Sequence, residues 1–290
     1  MAKNKSGQTA FGAALARLIE QYQPDNLRLF EDNLLQHLLP RSVVIFTRVK
    51  FIRTWMINLF DKKTKGILGG LICRTKYIDE ITTSFINGDI QQILILGSGM
   101  DTRPYRLEGI KQLKVFEVDM ASVQDFKIKK IKKYFGALHS NVNYIPIDFN
   151  SQTLSEVLKL HQFEFSKPAF IIWEGVTQYI TKDAVEKTLD FISATAPGSH
   201  LVFTYILESV IMKQSSIPGA NELMKYFEKK NAAWQFGIEP VKLGELLEKY
   251  HLQLFSDIDS DYYQEKYLQP MGRELDTTKM ERVAFAKRYD

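Results

Sequence analysis

The sequence predicts an α/β fold, a Rossmann-like doubly wound sheet of seven mostly parallel strands with helices on both faces and an added helical lid. Two observations predict it. From about residue 91 onward, short apolar runs alternate with helix-forming stretches, as successive βα units require. One of those runs, Ile93 to Leu96, breaks at once into Gly97-Ser-Gly99, where missing side chains let the backbone approach a ligand closely.

Taken in order, Phe11 to about Asn87 carries only helical signals. Ala13, Ala14, Leu15, Leu18 and Ile19 share one apolar face, and Leu34, Leu35, Leu38 and Leu39 form another before Pro40. Val43 to Phe60 is apolar with interleaved Arg48, Lys50 and Arg53, and Ile72 to Ile86 resumes a helix after the Gly66–Gly70 turn. Strands are expected at Ile93–Leu96, Lys114–Val118, Asn143–Ile147, Ala169–Trp173, His200–Tyr205, Leu252–Asp257 and Glu281–Lys287. Helices are expected near Met120–Leu138, Gln152–Leu160, Lys182–Ala196 and Lys242–Tyr250. Glu208 to Gly237 is too long for a tight connection and reads as a helical insertion. Residues 1–90 thus form a helical extension or cap, and 91–290 a core with an insertion at about 208–237, in one structural unit. Lys127 to Lys133 alternates lysines with Ile128 and Ile131, whose spacing reads as a buried stripe with the lysines on a solvated face.

Composition bounds the function. The 290 residues are 45% hydrophobic and 25% charged, and the net charge of +4 is too mild to call for nucleic acid. No apolar run approaches the roughly 20 residues of a membrane helix, and no signal-peptide pattern is evident, so a cytoplasmic protein without a membrane partner is expected. Cys73 is the only cysteine and none of the five histidines has metal-ligand spacing, so no metal is expected.

The chemistry lies at the strand ends. The glycine loop lacks the third glycine of a dinucleotide fingerprint, and Asp101 beside it would repel a pyrophosphate while suiting an ammonium or sulfonium group. Asp119 closes the second strand, where a carboxylate can accept both ribose hydroxyls. Asp148 closes the third, placed to accept from an adenine amino group with Phe149 against the ring. Glu174 ends the fourth, in reach of an amino-acid ammonium. Each acid alone reads equally as a cap or surface group; together they favour S-adenosyl-L-methionine over a nicotinamide cofactor.

Leu96-Gly-Ser-Gly-Met-Asp-Thr-Arg-Pro-Tyr-Arg-Leu107, Phe116-Glu-Val-Asp119, Trp173-Glu-Gly-Val-Thr-Gln-Tyr-Ile180 and Trp234-Gln-Phe-Gly-Ile238 resemble the leucine carboxyl methyltransferase family, its bacterial polyketide carboxyl methyltransferase-like branch included. The resemblance runs from Thr9 to Lys287 and implies a class I methyltransferase fold using S-adenosyl-L-methionine. It also implies that Arg74 pairs with the methionine carboxylate and that Arg17 lies near it. By the same resemblance Gly97, Gly99, Asp119, Asp148, Phe149 and Glu174 contact the cofactor. The expected reaction is O-methylation of a small-molecule carboxylic acid, with no catalytic base identified. Methylation of a protein C-terminal carboxylate or a hydroxyl, or binding without turnover, stay open. Arg103, Arg106, Tyr179 and Tyr205 are candidates to orient the substrate, although Arg103 and Arg106 equally fit a structural role tying the glycine loop to its neighbours.

Overall fold

In a computed structural model, residues 5–86, 88–147, 152–229 and 233–289 are described. The apolar run Gln92–Leu96 (β1) is buried along its length because both of its faces are covered, which is the setting that produces continuous hydrophobic strands. Successive side chains alternate between those faces: Ile93 and Ile95 join one core, Leu94 and Leu96 the other. The first core receives helices α1 (Lys5–Glu20) and α5 (Ile67–Ile86), preceded by α2 (Leu35–Leu38), α3 (Arg41–Arg48) and α4 (Lys50–Thr64). Helices α1 and α5 therefore share one hydrophobic core with the sheet, while Leu35 and Leu38 of α2 and Val44 of α3 pack in a separate cluster with Val123 and Ile131.

After β1 come α6 (Arg103–Arg106), β2 (Lys114–Asp119), α7 (Ala121–Phe135), β3 (Val142–Pro146), α8 (Leu154–Leu160), β4 (Ala169–Trp173) and α9 (Lys182–Ser193). Thr153 and Glu156 close α8 with a reciprocal capping box, and Thr181 caps α9. β5 (His200–Ile206) is followed by the insertion helices α10 (Glu208–Ile211) and α11 (Ala220–Lys229), then α12 (Pro240–Glu248), β6 (Leu252–Ile258), α13 (Ser260–Tyr263) and β7 (Glu281–Arg288). The seven strands run in the order β3-β2-β1-β4-β5-β7-β6, with β7 antiparallel to both of its neighbours. The chain leaves β1 toward β2 and β3, then returns to the other side of β1 for β4. That reversal creates a crevice at the carboxyl ends of β1 and β4, where open α/β sheets bind ligands.

The insertion is anchored to the sheet through Trp234 to Ile238: Phe236 and Ile238 enter the core, and the Ile238 amide donates to the Ile206 carbonyl at 3.0 Å. The tyrosine-rich segment before β7 also packs inward, with Tyr263 and Tyr267 buried. One expectation is corrected. The buried stripe of α7 is Val123, Gln124, Lys127 and Ile131, and Ile128 is only half-buried. Lys127 leaves the solvated face because Glu117 on β2 points into the same core and accepts its ammonium at 2.6 Å. Among the described residues, no helix is long and apolar enough to cross a membrane.

Candidate active site

The site begins where β1 runs out of side chains. Gly97 and Gly99 both take positive φ, at 67° and 43°, which favours glycine. A Cβ on Gly97 would also stand 2.3 Å from Val176 Cγ2, so the turn after β4 packs directly on the loop. The amides of Gly97 and Ser98 both donate to the Val118 carbonyl and tie the loop to β2. Asp119, at the end of that strand, accepts from the Gly99 amide through Oδ2 and the Met120 amide through Oδ1, each at 2.7 Å. Burial raises its pKa above the usual carboxylate value against the pull of those two amides. The loop and the acid expected to read a ribose are thus one hydrogen-bonded unit.

Around this unit lies a buried ionic cluster. Arg103 is 1% exposed and bridges three elements: Nε donates to Asp79 on α5 at 2.7 Å, and Nη1 to Asp101 at 2.6 Å and Glu174 at 2.8 Å. Asp101 also accepts the Arg103 amide, closing the turn after the glycines. Arg74 donates through Nε to Glu174 at 2.8 Å and through Nη1 to both oxygens of Glu281, the first residue of β7. Arg106 grips Asp79 with both Nη atoms. Arg17 donates to the Met100 carbonyl and lies 3.6 Å from Asp32, which accepts from the Thr102 hydroxyl. Four guanidiniums thus meet five carboxylates, Asp32, Asp79, Asp101, Glu174 and Glu281.

The electrostatics follow from that geometry. Burial pushes the Glu174 carboxyl up, but Arg103, Arg74 and Arg17 outweigh it and hold it well below the usual range. Asp101 is lowered in the same way, burial being overcome by Arg103, Lys127 and Arg17. Asp32 goes the other way, raised by a burial that Arg17 and Arg106 do not offset. A ligand with a cationic head would therefore meet ionised acceptors at Glu174 and Asp101.

The structure brings Arg17, Arg74, Gly97, Gly99, Asp101, Arg103, Asp119 and Glu174 to one end of the sheet. Asp148 and Phe149 lie outside the described residues. Tyr205 is fully buried, and its hydroxyl donates to Asp257, which also accepts from Arg282, in a separate cluster between β5 and β6. Tyr179 packs with the core of the insertion. Asp32, Asp79 and Glu281 are partners that the sequence did not single out. Glu281 carried a usable signal, since an antiparallel last strand starts at the carboxyl edge.

Two buried donors of the cluster, Arg17 Nε and Arg103 Nη2, have no hydrogen-bond partner among the described residues. Buried guanidinium edges of this kind suit an anionic ligand group, because an unpaired buried donor is costly. Together with acceptors at Asp119 and Glu174, these residues fit a ligand that joins a ribose to a zwitterionic amino-acid group. Two open clefts of about 520 and 210 Å³ adjoin the cluster through Arg106. Phe30, Lys76, Asp79 and Thr83 line the larger one, and neither touches the glycine loop. Among the described residues no group of side chains is disposed to hold a metal ion.

A doubly wound sheet with a glycine loop and acidic strand ends defines a nucleoside-binding α/β protein. Residues 10–193 match the family model of leucine carboxyl methyltransferase, and the chain belongs to that family. A Mycobacterium avium protein described as a candidate S-adenosyl-L-methionine-dependent methyltransferase is 29% identical over 206 residues, covering 67% of this chain and 63% of that one. A Mycobacterium tuberculosis protein of the same description is 31% identical over 140 residues, covering 48% and 45%. The matches therefore span less than two thirds of either relative. In fold, the chain is similar to a candidate methyltransferase from Thermobifida fusca, with a TM-score of 0.61 and 17% identity over 83% of this chain and 89% of that one. A DUF574 family protein from Streptomyces avermitilis gives a TM-score of 0.56 and 11% identity, over 80% and 88%.

Proposed function

We propose that the protein is an S-adenosyl-L-methionine-dependent methyltransferase acting on a carboxylate oxygen of a small organic acid. The observation that carries the reading is the pair of part-buried strand-end carboxylates, Asp119 and Glu174, flanking the Gly97–Gly99 loop. Family membership supports the same cofactor and the same class of acceptor.

Asp119 would accept the ribose hydroxyls with the lone pairs not given to the Gly99 and Met120 amides. Glu174, held ionised by Arg74 and Arg103, would receive the ammonium. Arg17 and Arg74 would take the methionine carboxylate, and Asp148 with Phe149 would hold the adenine. Bound S-adenosyl-L-methionine supplies a methyl group on a sulfonium, open to in-line displacement. A carboxylate acceptor is already ionised at neutral pH, so the chain need supply no general base. What remains for its residues is alignment and exclusion of water. Arg103 serves in this scheme as a positioning residue, since its bonds fix Asp101 and Glu174 together. The helices before β1 and the α10–α11 insertion would cover the bound cofactor.

Incubation with methyl-labelled cofactor and a panel of carboxylic acids tests the proposal. The expected product releases its label as methanol in base, as a methyl ester does. A label that resists base would move the acceptor to a hydroxyl. Binding without transfer to any acceptor would leave a cofactor-binding protein and overturn the catalytic assignment.

A further inference from the structure

Helices α3 and α4 carry several large apolar residues on their solvent side. Phe51, Trp55 and Leu59 recur at i, i+4 and i+8 on the solvent side of α4, with Phe51 81% and Trp55 59% exposed. Ile45 and Phe46 on α3, and Val49 between the two helices, are exposed as well. Six large apolar side chains clustered within fifteen consecutive positions are not the scattered exposure expected of a monomer surface. Charge singles out the same segment. Residues 41–65 contain seven basic residues and one acidic one, a net +6, while the whole chain is +4, so the remainder carries −2. Arg41, Arg48 and Lys50 are exposed among the apolar residues.

We propose that α3–α4 is a docking surface for an anionic lipid bilayer. Aromatic and aliphatic side chains projecting beside Arg and Lys are what an interfacial helix needs. The apolar residues enter the headgroup boundary while the cations meet anionic lipid. A second copy of the chain is a poorer occupant, because an isologous contact would set one +6 segment against another. A ligand's tail would need a cavity, and neither cleft is lined by these helices. The expectation of no membrane partner rested on the lack of a spanning segment, which an interfacial helix does not require.

Trp55 makes the test selective, since Trp173 and Trp234 are buried. The full chain is mixed with vesicles of equimolar phosphatidylglycerol and phosphatidylcholine, or of phosphatidylcholine alone, while sedimentation and tryptophan emission are recorded. The proposal expects co-sedimentation and a blue shift on the anionic vesicles only, both weakened by added salt. Phe51→Asp and Lys50→Glu should each lower vesicle affinity about tenfold with an unchanged melting transition. Absent sedimentation, or equal binding to both vesicle types, overturns it. So does a concentration-dependent blue shift without vesicles accompanied by a doubled mass in light scattering, which would assign the face to self-association.

Discussion

Asp119 carries more than one duty at the residue scale, because the two oxygens expected to read a ribose also hold the Gly99 and Met120 amides. Asp119→Ala is expected to weaken S-adenosyl-L-methionine binding at least tenfold, about 1.4 kcal/mol, measured by titration calorimetry on a variant shown to be folded. Unchanged affinity would remove Asp119 from the site. Arg74→Lys loses the planar fork that spans Glu174 and Glu281, leaving part-buried carboxylate oxygens with fewer donors. Weaker binding and a stability loss of about 2 kcal/mol in urea are expected; a variant matching the parent in both would release Arg74 from its role. Glu117 gives a pH signature. Burial raises its pKa from 4.5 to about 7 despite Lys127, so the folded state holds the proton more tightly than the unfolded chain does. Its contribution to stability is complete below 4.5 and is lost as pH rises through about 7. Urea unfolding across that window should show the decline, and Glu117→Gln should flatten it; an equal slope in both would assign the effect elsewhere. The strand-end acids were legible in sequence because strand, glycine loop and acid follow at fixed intervals. Arg74 and Arg17 emerged only through resemblance, and their partners Glu281 and Asp32 not at all; the Arg74–Glu281 pairing crosses the fold, and the Arg17–Asp32 pairing depends on how the chain turns after α1.

Among the elements, the glycine loop is where close packing and backbone conformation coincide. Gly97→Ala would place a methyl 2.3 Å from Val176 Cγ2 at a φ of 67°, so two separate costs are expected. Overpacking typically costs about 1–3 kcal/mol and the left-handed conformation about 1–2. Adding Val176→Ala should recover the first share and leave the second, as read from melting transitions of the single and double variants; full recovery would mean the backbone there is unstrained. The seven strands were readable because a sheet covered on both faces writes itself as short apolar runs. Lys127 was misread because a helical repeat reports which positions share a face, while Glu117 across the interface decides which face is buried. Phe236 and Ile238 pack into the sheet's core and Trp234 into that of the insertion, a pairing of cores that the sequence motif alone did not specify.

At the scale of the whole molecule, the parallel strands and their reversal beside β1 converge on one edge, where Arg17 and Arg74 from the N-terminal helices join Arg103 and Arg106 from the core. Arg17 on α1, Arg74 on α5 and Glu281 on β7 lie beside the glycine loop, so a cofactor bound there as proposed would be energetically coupled to the attachment of the N-terminal helices and β7. A ligand that joins these parts should raise the melting temperature of the entire chain, by about 2.7 kcal/mol of stabilisation at a hundredfold excess over Kd. The central claim is tested most directly by calorimetric titration of the purified protein with S-adenosyl-L-methionine and S-adenosylhomocysteine. The account predicts saturable binding of both to one site per chain, lost or weakened in Asp119→Ala. Absence of binding by either compound to a well-folded sample would contradict it.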